Sequence, residues 1–272
     1  MTNILELINE NKWSRAIEIS NDIFAPINDN YNIFHYACIR GNSEVINVIL
    51  DLKSQSIINS DNRGNTGCHL LAINGWDNIL LDVVQREPYF LKLKNDDDLF
   101  VFNMLLKRQD ILIKIIDIMK KNNMLEFLDF VRFNNRTLLL DVIESASINK
   151  EYLELLKYLY DLGVNFNSPE IYPPLIYALT FQSENYDFIG EYMIKNFDLK
   201  FDIIDKRQYS AFMIVLLKKS EKFALLLLDK DIDINYAGHE NKYVPLSVAI
   251  NGGLINVIEK MIQNDSLDYN KK

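Results

Sequence analysis

Between Ile33 and Leu50 the apolar residues fall at helical spacing on either side of a break. Phe34, Ala37 and Cys38 stand at i, i+3 and i+4, and Val45, Val48 and Ile49 take a similar spacing after Gly41 and Asn42. The pattern predicts two short helices folded into a hairpin. One such hairpin exposes too much apolar surface to fold alone, so it must stack on copies of itself. A second copy is plain, because His69 follows His35 by 34 residues and each is followed six positions later by glycine, Gly41 and Gly75. Projected onward, the equivalents of His69 are Asn103, Leu140, Ile176, Met213 and Ser247, at successive spacings of 34, 37, 36, 37 and 34. A helix pair over Asn3–Ile23 comes first, with Ile4, Leu5 and Ile8 on one helix and Trp13, Ala16 and Ile17 on the next. The last helix, Leu254–Asn264, turns Leu254, Val257, Ile258 and Met261 inward and Glu259, Lys260 and Gln263 outward.

The run Asp61-Asn62-Arg63-Gly64-Asn65-Thr66-Gly67-Cys68-His69, with Gly75 after it and the His35…Gly41 pair before it, resembles the ankyrin repeat, whose signature is a turn, T-P-L-H-x-A and two helices. Pro173-Pro174-Leu175-Ile176-Tyr177-Ala178 and Val244-Pro245-Leu246-Ser247-Val248-Ala249 renew the likeness, while copies three, four and six are placed by spacing. The resemblance covers about nine-tenths of the chain. It implies an all-α fold, an ankyrin-like α-solenoid of stacked helix-turn-helix repeats with short β-hairpin-like fingers. One domain is expected over 1–272: a capping helix pair at 1–26, about seven repeats over 27–264 and a tail at 265–272.

Each signature residue has a physical task in such a stack. Pro174 and Pro245 open helices where the missing N–H costs nothing. Ala37, Ala178 and Ala249 keep close-packed positions small, and Gly75 and Gly253 end inner helices at positive φ. Gly64 is the one finger glycine. Asn30, Asp98 and Asn135 tolerate left-handed φ in its place, whereas Ile171, Gln208 and Lys242 do so poorly and predict reshaped fingers.

Composition narrows the picture. The 272 residues are 49% hydrophobic and 25% charged, enough for a large core. The densest apolar run, Ile111–Met119, is broken by Lys114 and Asp117 and falls short of the roughly 18 residues of a membrane span. The start lacks the form of a secretory signal, so a cytoplasmic place, in the producing or a host cell, is expected. A net charge of −9 with no basic stripe argues against nucleic acid. Cys38 and Cys68 fall at core positions and read as buried thiols. Asn and Ile each make up about a tenth of the chain, as an AT-rich genome would give. Worn repeats of this composition are similar to ankyrin arrays of large DNA viruses of amoebae, of protists or of intracellular bacteria.

The chemistry that can be sought is mostly absent. His35 and His69 stand where the family uses imidazoles to tie fingers together, and His239 lies in a turn. Asp96-Asp97-Asp98 reads as a solvated finger, because a calcium loop spreads its ligands over about twelve residues. No phosphate loop, nucleophile elbow or zinc-protease motif occurs. The expectation is no enzyme, no catalytic residue, no metal, no cofactor and no small-molecule substrate. Binding positions remain. Tyr31, Tyr172, Tyr209 and Tyr243 share one finger position and form either a contact row or rings that brace neighbouring fingers. Lys107, Arg108, Glu144, Thr180, Phe181, Leu217 and Lys218 project to the inner-helix face, and Trp76 to a packed corner. Together they predict a monomeric interaction scaffold that holds a protein partner on its fingers and concave face. The alternative is a regulatory, targeting or inhibitory subunit of a separately encoded enzyme.

Overall fold

The computed structural model describes residues 3–52, 55–168, 172–180, 184–238 and 244–270. The chain divides into two compact units, Met1–Phe133 and Asn134–Lys272. In the first, paired helices follow one another as α1 Ile4–Asn9 with α2 Trp13–Ile19, α3 Ile33–Arg40 with α4 Ser43–Asp51, and α5 Gly67–Asn74 with α6 Asp77–Arg86. The third copy pairs a 3-10 turn, Val101–Leu105, with α7 Gln109–Lys121. In the second unit the pairs are α8 Leu138–Ile148 with α9 Tyr152–Asp161, α10 Pro174–Thr180 with α11 Glu184–Asn196, α12 Ala211–Leu217 with α13 Glu221–Leu227, and α14 Pro245–Gly252 with α15 Ile255–Ile262. Inner helices stack on inner helices (α3 on α5, α10 on α12, α12 on α14), and outer on outer (α6 on α7, α11 on α13, α13 on α15). Among the described residues no helix is long and apolar enough to cross a membrane.

The projected register holds throughout. His35, His69, Asn103, Leu140, Ile176, Met213 and Ser247 are each the third residue of their inner helix or turn. Packing explains why that frame survives so much sequence wear. The residue one before the third position points into the core in every unit-1 copy (Phe34, Cys68, Phe102), as do Leu139, Leu175 and Phe212 in unit 2. Ala37, Ala178 and Ala249 are fully buried, and Pro174 and Pro245 begin their helices. Gly41, Gly75 and Gly253 end theirs in the left-handed region. In the third copy Lys107-Arg108 replaces that glycine stop, and the inner segment is a short 3-10 turn.

Several expectations need correction. Val48 is 54% exposed, because α4 turns Val45, Ile46, Ile49 and Leu50 inward as one stripe and leaves Val48 on its far side. In the first pair Leu7 shares the buried face with Ile8, while Ile4, Leu5 and Ile17 are half-buried. Lys260 does not face outward freely; its Nζ donates to the Leu225 carbonyl at 3.1 Å and to Asp229 at 2.5 Å. Asp98 is not solvated: it is 2% exposed, ion-paired to Lys94, and accepts the Phe133 N–H at 2.8 Å.

Gln208 gives the most instructive departure. It takes φ +60° and its finger closes like the others. The reason lies three residues upstream, where Asp205 Oδ1 accepts the N–H of Arg207 and of Tyr209, each at 2.9 Å. Asp61 does the same for Arg63 and Asn65 around Gly64, and Asn95 for Asp97 and Leu99 around Asp98. An aspartate or asparagine that opens the tip therefore fixes the left-handed residue, whatever its type. Isolated antiparallel bridges, Lys94 with Phe100 and Ile204 with Ser210, close two of these fingers. Ile171, Lys242 and His239 lie outside the described residues.

Candidate functional site

In unit 1 the fingers are joined by a buried polar ladder. His35 accepts the Asn32 N–H at Nδ1 (3.2 Å), which leaves its proton on Nε2 to donate to the Asn59 carbonyl at 2.9 Å. His69 repeats the arrangement one copy on: Nδ1 accepts from the Thr66 N–H and hydroxyl, and Nε2 donates to the Leu99 carbonyl at 3.0 Å. Both rings are fully buried, and burial lowers their pKa below the usual histidine value. They are neutral ties between a helix start and the next finger, with no room for a proton-transfer role. Beside them, Asn65 Nδ2 donates to Asp61 and Asn95 Nδ2 donates to Asn65 Oδ1 at 3.0 Å. Burial alone would raise the Asp61 carboxyl, but the N–H groups of Asn65 and Arg63 outweigh it and hold it below the ordinary value.

Tyr31 stands at the edge of this ladder, half-buried. Its ring meets His35 edge-on at 6.0 Å and Tyr36 at 5.6 Å, and its hydroxyl interacts with the Asp61 carboxylate. Arg108 is half-buried and spent inside the unit: its guanidinium pairs with Asp77 and caps the Ala72 carbonyl at the end of α5. Trp76 donates from Nε1 to the Ile39 carbonyl at 3.0 Å, and its indole lies where a side chain at Gly41 would have to go. Lys107 is exposed, as is Ile73 at 57%.

In unit 2 the fingers are held differently. Arg136 donates to Asp141 at 2.7 Å, to Glu144 and to the Tyr177 hydroxyl at 2.8 Å, while Tyr177 donates to Glu144 at 3.2 Å. Burial pushes the Tyr177 hydroxyl up to about 12, with Arg136 acting against it. Tyr172, 52% exposed, places its ring 6.0 Å from Tyr177. Tyr209 lies under the Arg207 guanidinium and against the backbone of Gly238. Lys218 caps the Leu179 carbonyl at 2.7 Å, as Arg108 caps Ala72, and Leu217 beside it is 43% exposed. Phe181 and Tyr243 lie outside the described residues.

No family model matches the sequence, and no curated protein does. Solved structures do match. An ankyrin repeat protein from Leishmania major superposes with a TM-score of 0.64 at 17% identity, over 85% of this chain and 80% of that one. The ankyrin repeat domain of Bcl-3, a member of the IkappaB protein family, gives a TM-score of 0.64 and 17% identity over 85% of this chain and 99% of its own. The chain has the ankyrin-repeat fold.

Within that ankyrin frame the predicted positions can be placed. Four residues before the third position stand Tyr31, Tyr172 and Tyr209, and Arg136 occupies the same place in the fourth copy. Sequence reading passed over Arg136 because a cation does not look like a tyrosine, although the spacing from Leu140 was available. Four residues after the third position stand Ile39, Ile73, Lys107, Glu144, Thr180 and Leu217, of which Ile73, Lys107 and Leu217 are exposed and Lys107 lies past the end of its 3-10 turn. Ile39 and Ile73 were missed there. The cysteines are buried and unlinked, and burial drives both thiols far above the ordinary value, which removes them as nucleophiles. Among the described residues no group of three or more His, Cys, Asp or Glu side chains is placed to hold a metal ion.

Proposed function

We propose that this ankyrin-fold chain is a non-catalytic scaffold that binds a partner protein through its inner helices and finger bases. The observation that carries the reading is exposure. Ile73 (57%), Trp76 (40%) and Leu217 (43%) stand in water on the inner-helix side, while Ala72 and Leu216, just before Ile73 and Leu217, are buried. Large apolar side chains presented from rigid helices are inexpensive to desolvate and lose little entropy on binding. Of the tyrosines, Tyr172 is the contact residue, because Tyr31 and Tyr209 are half-covered by their own fingers. Arg108 serves the scaffold and Lys107 the partner.

Affinity capture with mass spectrometry tests this. The protein with Ile73→Asp and Leu217→Asp loses its specific partner, whereas Ile255→Asp, an exposed outer-helix control, retains it. Identical capture by all three would remove the inner face as the binding surface.

A further inference from the structure

Three positions of the last copy stand open where earlier copies close them. The sixth residue of the inner helix is Cys38, Ala72, Ile143, Leu179 and Leu216 in five copies, each 3% exposed or less, yet Ile250 in α14 is 56% exposed. The fourth residue of the outer helix is Ile46, Leu80, Leu112, Leu155 and Ala224 in five copies, each at 1% or less, whereas Ile258 in α15 is half-buried. The eighth is Leu50, Val84, Ile116 and Leu159 in four copies, each at 2% or less, whereas Ile262 is 51% exposed. The preceding copy is in place, since α14 packs on α12 and α15 on α13. The cover these residues lack is therefore the one that a following copy gives.

The residues after α15 do not supply it. They turn back to the sixth copy, where Asn235 donates to the Ser266 carbonyl at 2.7 Å and accepts the Asp268 N–H at 2.8 Å. Ile255 is a separate case, because it opens the outer helix at a position that no described copy buries. What remains is an apolar face with almost no charge. α14 has no charged residue, and α15 has Glu259 and Lys260, of which Lys260 is drawn back to Asp229 of the sixth copy.

The first helix pair is built the other way. Every exposed residue of α1 and α2 is polar (Glu6, Asn9, Ser14, Arg15 and Glu18), as a terminal copy requires. It offers no apolar counterpart, so one chain cannot bury its last copy against the first pair of the next. A charged partner finds little on α14 and α15 to pair with. The surface that matches the face in kind is the same face on a second copy, and a neutral contact is what two chains of net charge −9 need in order to meet.

We infer that this face of α14 and α15 pairs with itself across a two-fold axis, so that two copies of the chain form a closed dimer through Ile250, Ile258 and Ile262. The sequence pattern predicted a monomer; the last copy argues for a pair. The contact is small. Two helices about 12 Å long give an interface on the order of 1,000 Å² for both copies together, near the lower bound for specific association, with a dissociation constant in the micromolar range.

The test is analytical ultracentrifugation of the full chain between about 1 and 200 μM. The wild type is expected to pass from monomer to dimer and to go no further. Ile250→Lys with Ile262→Lys, at exposed positions that leave the helical circular dichroism and the urea midpoint unchanged, weakens the dimer at least tenfold. Val48→Asp, a like change at an exposed residue of α4, leaves it intact. Added salt strengthens the dimer, because it screens the repulsion between like-charged chains without touching an apolar contact. A wild type that stays monomeric, a dimer that survives the double lysine variant, one that salt dissolves, or assembly beyond two copies overturns the inference. So does a monomer that captures a different protein through Ile250 and Ile262. The inner-face reading is tested apart from it: Ile73→Asp with Leu217→Asp is expected to keep the dimer, and its loss there, with the lysine variant still paired, would move the second copy to the inner face and overturn the inference.

Discussion

The two units solve one problem by different chemistry. Both must hold a finger against the start of an inner helix, where backbone N–H groups have no partner inside the helix. Unit 1 uses a buried ladder of neutral imidazoles and amides around one carboxylate: His35 and His69 at the third position, with Asp61, Asn65 and Asn95 passing hydrogen bonds from finger to finger. Unit 2 fills the third position with Leu140, Ile176 and Met213, all buried, and in its last copy with the exposed Ser247, and moves its polar fastening to the rim, where Arg136, Asp141, Glu144 and Tyr177 form a charged knot. The repeat does not require one bonding scheme. It requires that every buried polar group find a partner, and among the described residues none of the buried side-chain polar atoms lacks one.

The contrast can be broken most forcefully at Asp61. Asp61→Ala strips the acceptor from the N–H groups of Arg63 and Asn65 and from the Asn65 amide in a buried site, and should cost about 3–5 kcal/mol by urea denaturation. A loss below 1 kcal/mol would show that water replaces the ladder. Arg136→Met removes three bonds from a site at which the arginine side chain is 27% exposed and Glu144 is 42% exposed, so the loss should be smaller, about 1–2 kcal/mol. An equal cost for both would erase the distinction between a buried ladder and a rim knot.

Acid acts first on unit 1. The two histidines are neutral when folded and their pKa is lowered, so the unfolded chain takes up protons first. Their contribution is complete above about pH 6.5 and is lost as pH falls below it, by at most about 1.4 kcal/mol per pH unit for each ring. Asp61, whose pKa is also depressed, adds a second loss that begins only below its unfolded value of about 3.9. Hydrogen exchange at pH 7.5 and pH 5 should show amides of residues 32–70 losing protection while those of residues 137–180 keep it. The smallest effect is expected at Gln208, where Gln208→Gly relieves a left-handed φ and should stabilise by about 0.5–1 kcal/mol. Gly64→Ala should do the reverse, because its new Cβ would lie 2.7 Å from the Asp96 nitrogen.

How much of this was legible in the sequence differs by level. The register was readable in all seven copies, including those with no signature, because the spacing of buried apolar positions is what stacking demands. The fingers were only partly readable. Gln208 looked incompatible with its place because the search was for a residue that prefers positive φ, whereas the decisive residue was Asp205. Trp76 was placed at a packed corner, and it packs there on Gly41. Arg108 and Lys218 looked like contact residues in the pattern, yet each caps a carbonyl of the preceding copy, a bond between residues 36 and 39 apart.

The sequence by itself determined the repeating unit, its period and most of the core positions, Val48 excepted, since these depend on local helical geometry and on which side chains avoid water. The tertiary structure decided the partners of the polar side chains. A histidine, an arginine or an aspartate has several bonds within reach of its length, and only the stacking of one copy on the next selects among them. That selection also left Ile73 on the surface of α5, a position the repeat pattern had not marked as open.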